Sequence, residues 1–123
     1  MGQPAVGWFE VTGMDGPKLQ RFCGDLFDWQ VQDVGQGYGV VAAADKGIGG
    51  RIGVAQDGGR GYVSFYVEVD DPAAYLSKAN AHSAQTVTPV TDLARFGITF
   101  ALFTDPEGHL IGLSKGAAGW RKS

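Results

Sequence analysis

The chain has 123 residues, 44% of them hydrophobic and 19% charged, which is enough apolar material for the core of one ordinary domain and too much for a disordered segment. A net charge of -3, with the 10 Lys and Arg scattered along the sequence, excludes the basic field that a phosphate backbone requires, so nucleic acid is not an expected partner. One cysteine, Cys23, forbids an intrachain disulfide, and no apolar run approaches the roughly 18 residues of a membrane span. Met1 to Val6 has neither the basic nor the apolar part of an export signal, and the cytoplasm is the expected location.

Val6 to Thr12 is rich in β-formers and predicts a strand; Gly13 to Gly16 supplies a turn, and Pro17 marks a helix start. Leu19, Phe22, Cys23, Leu26 and Phe27 follow the spacing of one buried helix face, where Cys23 is expected to pack as a small apolar residue. Trp29 to Val34 predicts a short strand, Gly39 to Ala44 another, Asp45 to Gly47 a tight hairpin and Ile48 to Ala55 its return. The polar, Gly-rich stretch Gln56 to Gly61 reads as a link. Tyr62 to Val69 then predicts the clearest strand, and Asp70, Asp71 and Pro72 open a helix with a weaker apolar face of Leu76 and Ala79. Gln85 to Val90 predicts a strand ended by Pro89, Phe96 to Phe103 another, Asp105 to Gly108 a turn, and His109 to Ser114 the last strand. Gly116 to Ser123 reads as a solvated tail.

One order of elements thus occurs twice. Trp8 to Val11 matches Ser64 to Val67, Pro17 matches Pro72, and the turn Asp45 to Gly47 matches Asp105 to Gly108. The prediction is a single α+β domain of two βαβββ modules, about residues 5–56 and about 61–115, with a tail at 116–123, forming a curved mixed sheet around a cavity. A ferredoxin-like dimeric barrel has a similar length but lacks two consecutive hairpin strands after each helix.

Four stretches carry a resemblance: Trp8 to Val11, Leu26 to Trp29, Tyr66 to Asp71 and, most specifically, Ala101 to Leu113, in which an Asp-Pro-Glu-Gly turn joins two apolar strands. Together they resemble the vicinal oxygen chelate superfamily, which includes glyoxalase I, extradiol dioxygenases, some epimerases and proteins that bind bleomycin-type antibiotics. The resemblance covers almost the whole chain and implies the glyoxalase-like fold and a homodimer. In the superfamily's metal-using members, His, Gln or Glu side chains of the first, fourth, fifth and eighth strands hold one divalent ion. The matching positions here are Trp8, Arg51, Ser64 and Gly112. An indole only donates, a guanidinium has the wrong charge, a neutral hydroxyl is weak and glycine has no side chain, so neither a metal nor another cofactor is expected. His82 and His109 fall on different surfaces and do not make a ligand cluster.

Strand alternation puts Val6, Trp8, Glu10 and Thr12, then Tyr62, Ser64, Tyr66 and Glu68, then Leu110, Gly112 and Ser114 on the cavity face, and Phe9, Val11, Phe65, Val67 and Val69 toward the helices. Trp8, Arg51, Tyr62, Ser64, Tyr66, Leu110 and Gly112 are therefore the candidate ligand contacts of an aromatic, apolar pocket for a small organic molecule, with Glu68 at its rim. Glu10 is the candidate catalytic residue: its carboxylate could act as a general base while Arg51 holds an anionic oxygen, or the two could simply pair with each other. Three functions stand open. One is a metal-free protein binding an aromatic or polyketide-like ligand, and another is a metal-independent isomerase, lyase or cyclase using Glu10 as base and Tyr62 or Tyr66 as donor. A metal-dependent glyoxalase I-like lyase or dioxygenase would need ligands that these positions do not supply.

Overall fold

Both helices begin with the same local chemistry. The Asp15 carboxylate accepts a hydrogen bond from the Lys18 amide at 3.0 Å, and the Asp71 carboxylate accepts one from the Ala74 amide at 3.1 Å. Each aspartate satisfies an amide that the first helical turn leaves without an intrahelical partner, and each is followed within the first turn by a proline, whose missing N–H is not needed there.

The computed structural model describes residues 3–56 and 58–116; the expected tail beyond, including Trp120, lies outside the described residues. The chain divides into two compact units. The N-terminal unit, Phe9–Val63, holds most of β1 (Val6–Gly13), then α1 (Gly16–Phe27), β2 (Val31–Gly35), β3 (Tyr38–Val41) and β4 (Gly49–Val54), with strand order β2-β3-β4-β1. The C-terminal unit takes the chain from Ser64 onward and the start of β1 through Trp8. It contains nearly all of β5 (Val63–Glu68), α2 (Pro72–Ala81), β6 (Gln85–Leu93), a 3₁₀ turn at Ala94–Phe96, β7 (Ile98–Thr104) and β8 (Leu110–Lys115), in the order β5-β8-β7-β6. Strands β5 and β8 run parallel and the remaining C-terminal pairs antiparallel, so the fold is α+β with mixed strand pairing and the βαβββ order in each half.

The C-terminal core is Val69, Leu76, Ala101 and Leu113, with Val67, Tyr75 and Phe103 packed on it. Val67 and Val69 thus pack with residues of α2, as alternation requires, whereas Phe65 lies outside this cluster and is exposed.

Three expectations about elements are corrected. Helix α1 does not bury its apolar stripe: Phe22, Leu26 and Phe27 are 60%, 57% and 53% exposed. The helix instead docks through Gly16, where a Cβ would come within 2.6 Å of the Gly37 carbonyl oxygen and 2.8 Å of the Val54 nitrogen. One turn on, Gln20 Nε2 donates to the carbonyls of Gly37 at 3.2 Å and Ile52 at 3.0 Å. A close backbone approach and two side-chain hydrogen bonds fix the rotation of the helix, and the large side chains point elsewhere. Cys23 is half-buried, and that burial pushes its thiol pKa up.

The tight hairpin at Asp45 to Gly47 is a longer loop over residues 42–48, because β3 stops at Val41, opposite Gly50, and Ala42 to Ala44 are exposed. A turn with the Gly47 amide donating to the Ala44 carbonyl at 3.1 Å does occur within it. Pro89 does not end β6, which continues to Leu93 with register shifts between Thr86 and Thr91. A strand at the end of the order tolerates a residue that has no N–H, and the irregular register absorbs it.

Candidate functional site

Glu10, on β1, is fully buried in the N-terminal unit. A carboxylate removed from water requires compensation by charge and hydrogen bonds, and both are present. Arg51, on β4, directs Nη2 at Glu10 Oε2 in an ion pair, and the Tyr62 hydroxyl donates to Glu10 Oε1 at 2.6 Å. The Arg51 guanidinium carbon also sits 4.4 Å from the centre of the Tyr38 ring, a cation–π stack, and the Tyr38 hydroxyl accepts from Gln56 Nε2 at 2.5 Å.

Backbone contacts hold Tyr62 in reach of Glu10. Its amide donates to the Thr12 carbonyl at 3.2 Å and to Thr12 Oγ1 at 3.1 Å, while the Thr12 amide donates to the Tyr62 carbonyl at 2.8 Å. Thr12 is two residues from Glu10 and shares its strand face, so this pairing brings the phenol to the carboxylate. The cluster reaches solvent through Arg51, whose side chain is 35% exposed, while that of Glu10 is 1% exposed. Because the two charges offset each other, the part-exposed guanidinium, stacked on the buried Tyr38 ring, sits in a nearly neutral setting.

Of the residues singled out from the sequence, Glu10, Arg51 and Tyr62 are brought together here. Trp8, Ser64, Tyr66, Leu110 and Gly112 belong to the other unit. There the Ser64 hydroxyl donates to the Leu110 carbonyl at 2.8 Å, and the Tyr66 ring lies over Gly112, where any Cβ would collide with it. Tyr66 also meets the edge of Phe100, with ring centres 6.5 Å apart. Glu68, expected at a rim, is half-buried and accepts from Ser114 Oγ at 3.2 Å and from the Gly116 amide at 2.7 Å, fixing the end of β8. His109 is exposed and faces Asp105 at 3.0 Å across its turn.

Tyr38 and Gln56 were not foreseen as site residues, since Tyr38 falls between two predicted strands and Gln56 in the link. The signal was in the strand pairing: Val40 lies opposite Arg51, so Tyr38, two residues away, shares the face of Arg51.

No protein-family model matches the sequence, and no curated protein matches it. Among solved structures, the chain is similar to a glyoxalase/bleomycin resistance protein/dioxygenase superfamily member from Vibrio splendidus, with 15% identity and a TM-score of 0.65 over 92% of this chain and 99% of that one. This chain has the glyoxalase-like fold. A variant of Streptomyces coelicolor methylmalonyl-CoA epimerase bound to 2-nitronate-propionyl-CoA matches with 13% identity and a TM-score of 0.61 over 98% of this chain and 100% of that one. The Mn(II)-bound glyoxalase of Novosphingobium aromaticivorans matches with 16% identity and a TM-score of 0.56 over 94% of this chain and 41% of that one.

A glyoxalase-like fold raises the question of a divalent metal, and the side chains at the four matching positions do not fit one. A ligand side chain at Gly112 would meet the Tyr66 ring, and the Ser64 hydroxyl is engaged with a carbonyl. Arg51 brings a positive charge to the buried carboxylate Glu10, where a cation would have to displace it. Among the described residues, no group of three or more His, Cys, Asp or Glu side chains is arranged to hold a metal ion.

Proposed function

We propose that this chain is a small-molecule-binding protein of the vicinal oxygen chelate superfamily that works without a divalent metal, taking a planar organic ligand of aromatic or polyketide-like type. The observation that carries the reading is the Glu10–Arg51 ion pair, which places a part-exposed guanidinium, and not a metal ion, on the buried carboxylate. A part-exposed guanidinium suits a carbonyl or phenolic oxygen of an organic ligand. The site's near-neutrality favours an uncharged ligand, since a free anion would gain little from a cation already paired.

A second reading, a metal-independent isomerase, lyase or cyclase, is favoured by the Tyr62 hydroxyl at 2.6 Å from Glu10, which assembles a base and a donor in one place. Binding is preferred because Glu10 would have to leave Arg51 or Tyr62 before it could take a proton from a substrate. A cytoplasmic setting and a homodimer belong to the same proposal. The exposed side chains of Phe22, Leu26 and Phe27 on α1 offer apolar surface for a second copy, and no helix among the described residues is long and apolar enough to cross a membrane.

The test is a thermal-shift screen of the full chain against planar aromatic and polyketide-like compounds, repeated with Glu10→Gln. A carrier shows stabilising compounds, retained binding in Glu10→Gln and no chemical change in the ligand. Ligand turnover that falls more than about a hundredfold in a folded Glu10→Gln variant would replace it with the proton-transfer reading. Stabilisation by Mn, Ni, Zn or Fe ions and by no organic compound would contradict both.

A further inference from the structure

The ion pair on Glu10 needs a guanidinium held in one pose, and an arginine side chain is long and gives up much rotamer freedom in taking one. Arg51 is also 35% exposed along its side chain, so water competes for its donors. A second surface beside the guanidinium would keep its plane from swinging away from the carboxylate, and stacking on an aromatic face is a means that arginine has and lysine lacks in the same degree.

Tyr38 supplies that surface. It stands opposite Gly53 in the pairing of β3 with β4, and its ring occupies the space in which any Cβ on Gly53 would lie. A glycine inside a strand weakens it and marks a place where something comes close to the backbone. Here the ring comes close to β4, two residues along the same strand face from Arg51, and the guanidinium carbon lies 4.4 Å from the ring centre. The far end of the ring is tethered as well, since the Tyr38 hydroxyl accepts a hydrogen bond from Gln56 Nε2 at 2.5 Å. The buried ring is therefore fixed at its edge by the β4 backbone and at its tip by a side chain.

We propose that Tyr38 is a positioning residue that acts through Arg51: its ring face holds the guanidinium in the pose that meets Glu10, while Gly53 and Gln56 hold the ring. The proposal deepens the reading of the Glu10–Arg51 site and rests on it, because a guanidinium ordered in advance meets a ligand oxygen without a further loss of side-chain freedom. The face of the ring does the holding and the hydroxyl only anchors the ring, so phenylalanine should serve in place of Tyr38 where an aliphatic residue does not.

The Arg51 side-chain Nε–H reports this pose without any ligand, in nitrogen–proton correlation spectra of the full chain, where its signal is assigned by its loss in Arg51→Lys. In the unaltered chain it should be moved upfield by the ring current of Tyr38 and exchange slowly with water. Tyr38→Leu should abolish the upfield shift and speed exchange about five- to thirtyfold, as expected for a partly desolvated cation–π contact. Tyr38→Phe and Gln56→Ala keep the ring face and free its tip, so both should retain the shift and speed exchange less than Tyr38→Leu does. If Tyr38→Leu does not fold, Gln56→Ala decides, since Gln56 is exposed: exchange no faster than in the unaltered chain would overturn the proposal. An Arg51 signal that changes in Glu10→Gln but not in Tyr38→Leu, or equal changes in Tyr38→Phe and Tyr38→Leu, would overturn the positioning role and leave the ion pair standing. A signal indifferent to Glu10→Gln would remove the ion pair, and the proposal with it.

Discussion

At the scale of single residues, the balance at Glu10 rests on a carboxylate with no access to water and a guanidinium with some. Arg51→Met removes the offsetting charge and should destabilise the chain toward the lower end of about 3–5 kcal/mol, because solvent already screens part of the pair. Combining it with Glu10→Gln should recover part of that loss, since the buried group is then neutral. Urea denaturation of the two single variants and the double variant measures this coupling, and strictly additive losses would show that the two side chains do not act as a pair. Gly112 supports a second expectation, because the Tyr66 ring occupies the space of its missing Cβ. Gly112→Ala should cost about 1–3 kcal/mol, and Tyr66→Leu in the same chain should relieve most of it. Glu10 and Arg51 were legible in the sequence as charges on inward-facing strand positions. Tyr38 and Gln56 were not, because strand alternation assigns a face only after the strand is recognised, and both residues fall outside the predicted strands.

At the scale of elements, the Asp105 turn shows how a short motif holds two strands in register. Asp105 Oδ1 accepts the amides of Glu107 and His109, each at 2.9 Å, and the His109 ring lies 3.0 Å from Oδ2. The backbone hydrogen bond from His109 is the main reason its pKa lies below the usual carboxylate value, with the Glu107 amide and the His109 ring adding to it. A carboxylate with a lowered folded-state pKa contributes stability that is present above its ordinary value, near 3.9, and lost as pH falls through the lower folded value. Hydrogen exchange at the His109 amide, corrected for the intrinsic pH dependence, should therefore show protection that declines only below about pH 3.9. Asp105→Asn should show less protection at neutral pH and no such decline.

The strands were legible wherever β-branched and aromatic residues alternate, as in β1 and β5. Helix α1 was legible in position but not in orientation. Periodicity says which side chains share a face, and it is silent on whether a glycine and a glutamine will dock the helix by another one. The strand Gln85–Leu93 was cut short for a comparable reason, since Pro89 forbids a backbone hydrogen bond but not an irregular edge strand.

At the scale of the whole molecule, the exposed stripe of α1 gives the homodimer expectation physical content. Light scattering on size-exclusion fractions should give twice the mass of the 13.0 kDa chain. Leu26→Lys, at a position 57% exposed, should shift the mass toward one chain without unfolding it. A monomer in the unaltered protein would remove the dimer from the account. The two βαβββ modules were legible in duplicated punctuation, Pro17 with Pro72 and the turn before β4 with the turn before β8, and the glyoxalase-like fold in the resemblance carried chiefly by Ala101 to Leu113. The ligand was not legible, since no motif names the molecule that the Glu10–Arg51 site would take.

The central claim is that a guanidinium, not a divalent cation, neutralises the buried carboxylate. Elemental analysis by mass spectrometry of protein purified without chelators tests it most directly. Transition-metal content far below one equivalent per chain, unchanged by Glu10→Gln, is the expected result. One equivalent of Mn, Ni, Zn or Fe per chain, lost in Glu10→Gln, would contradict it.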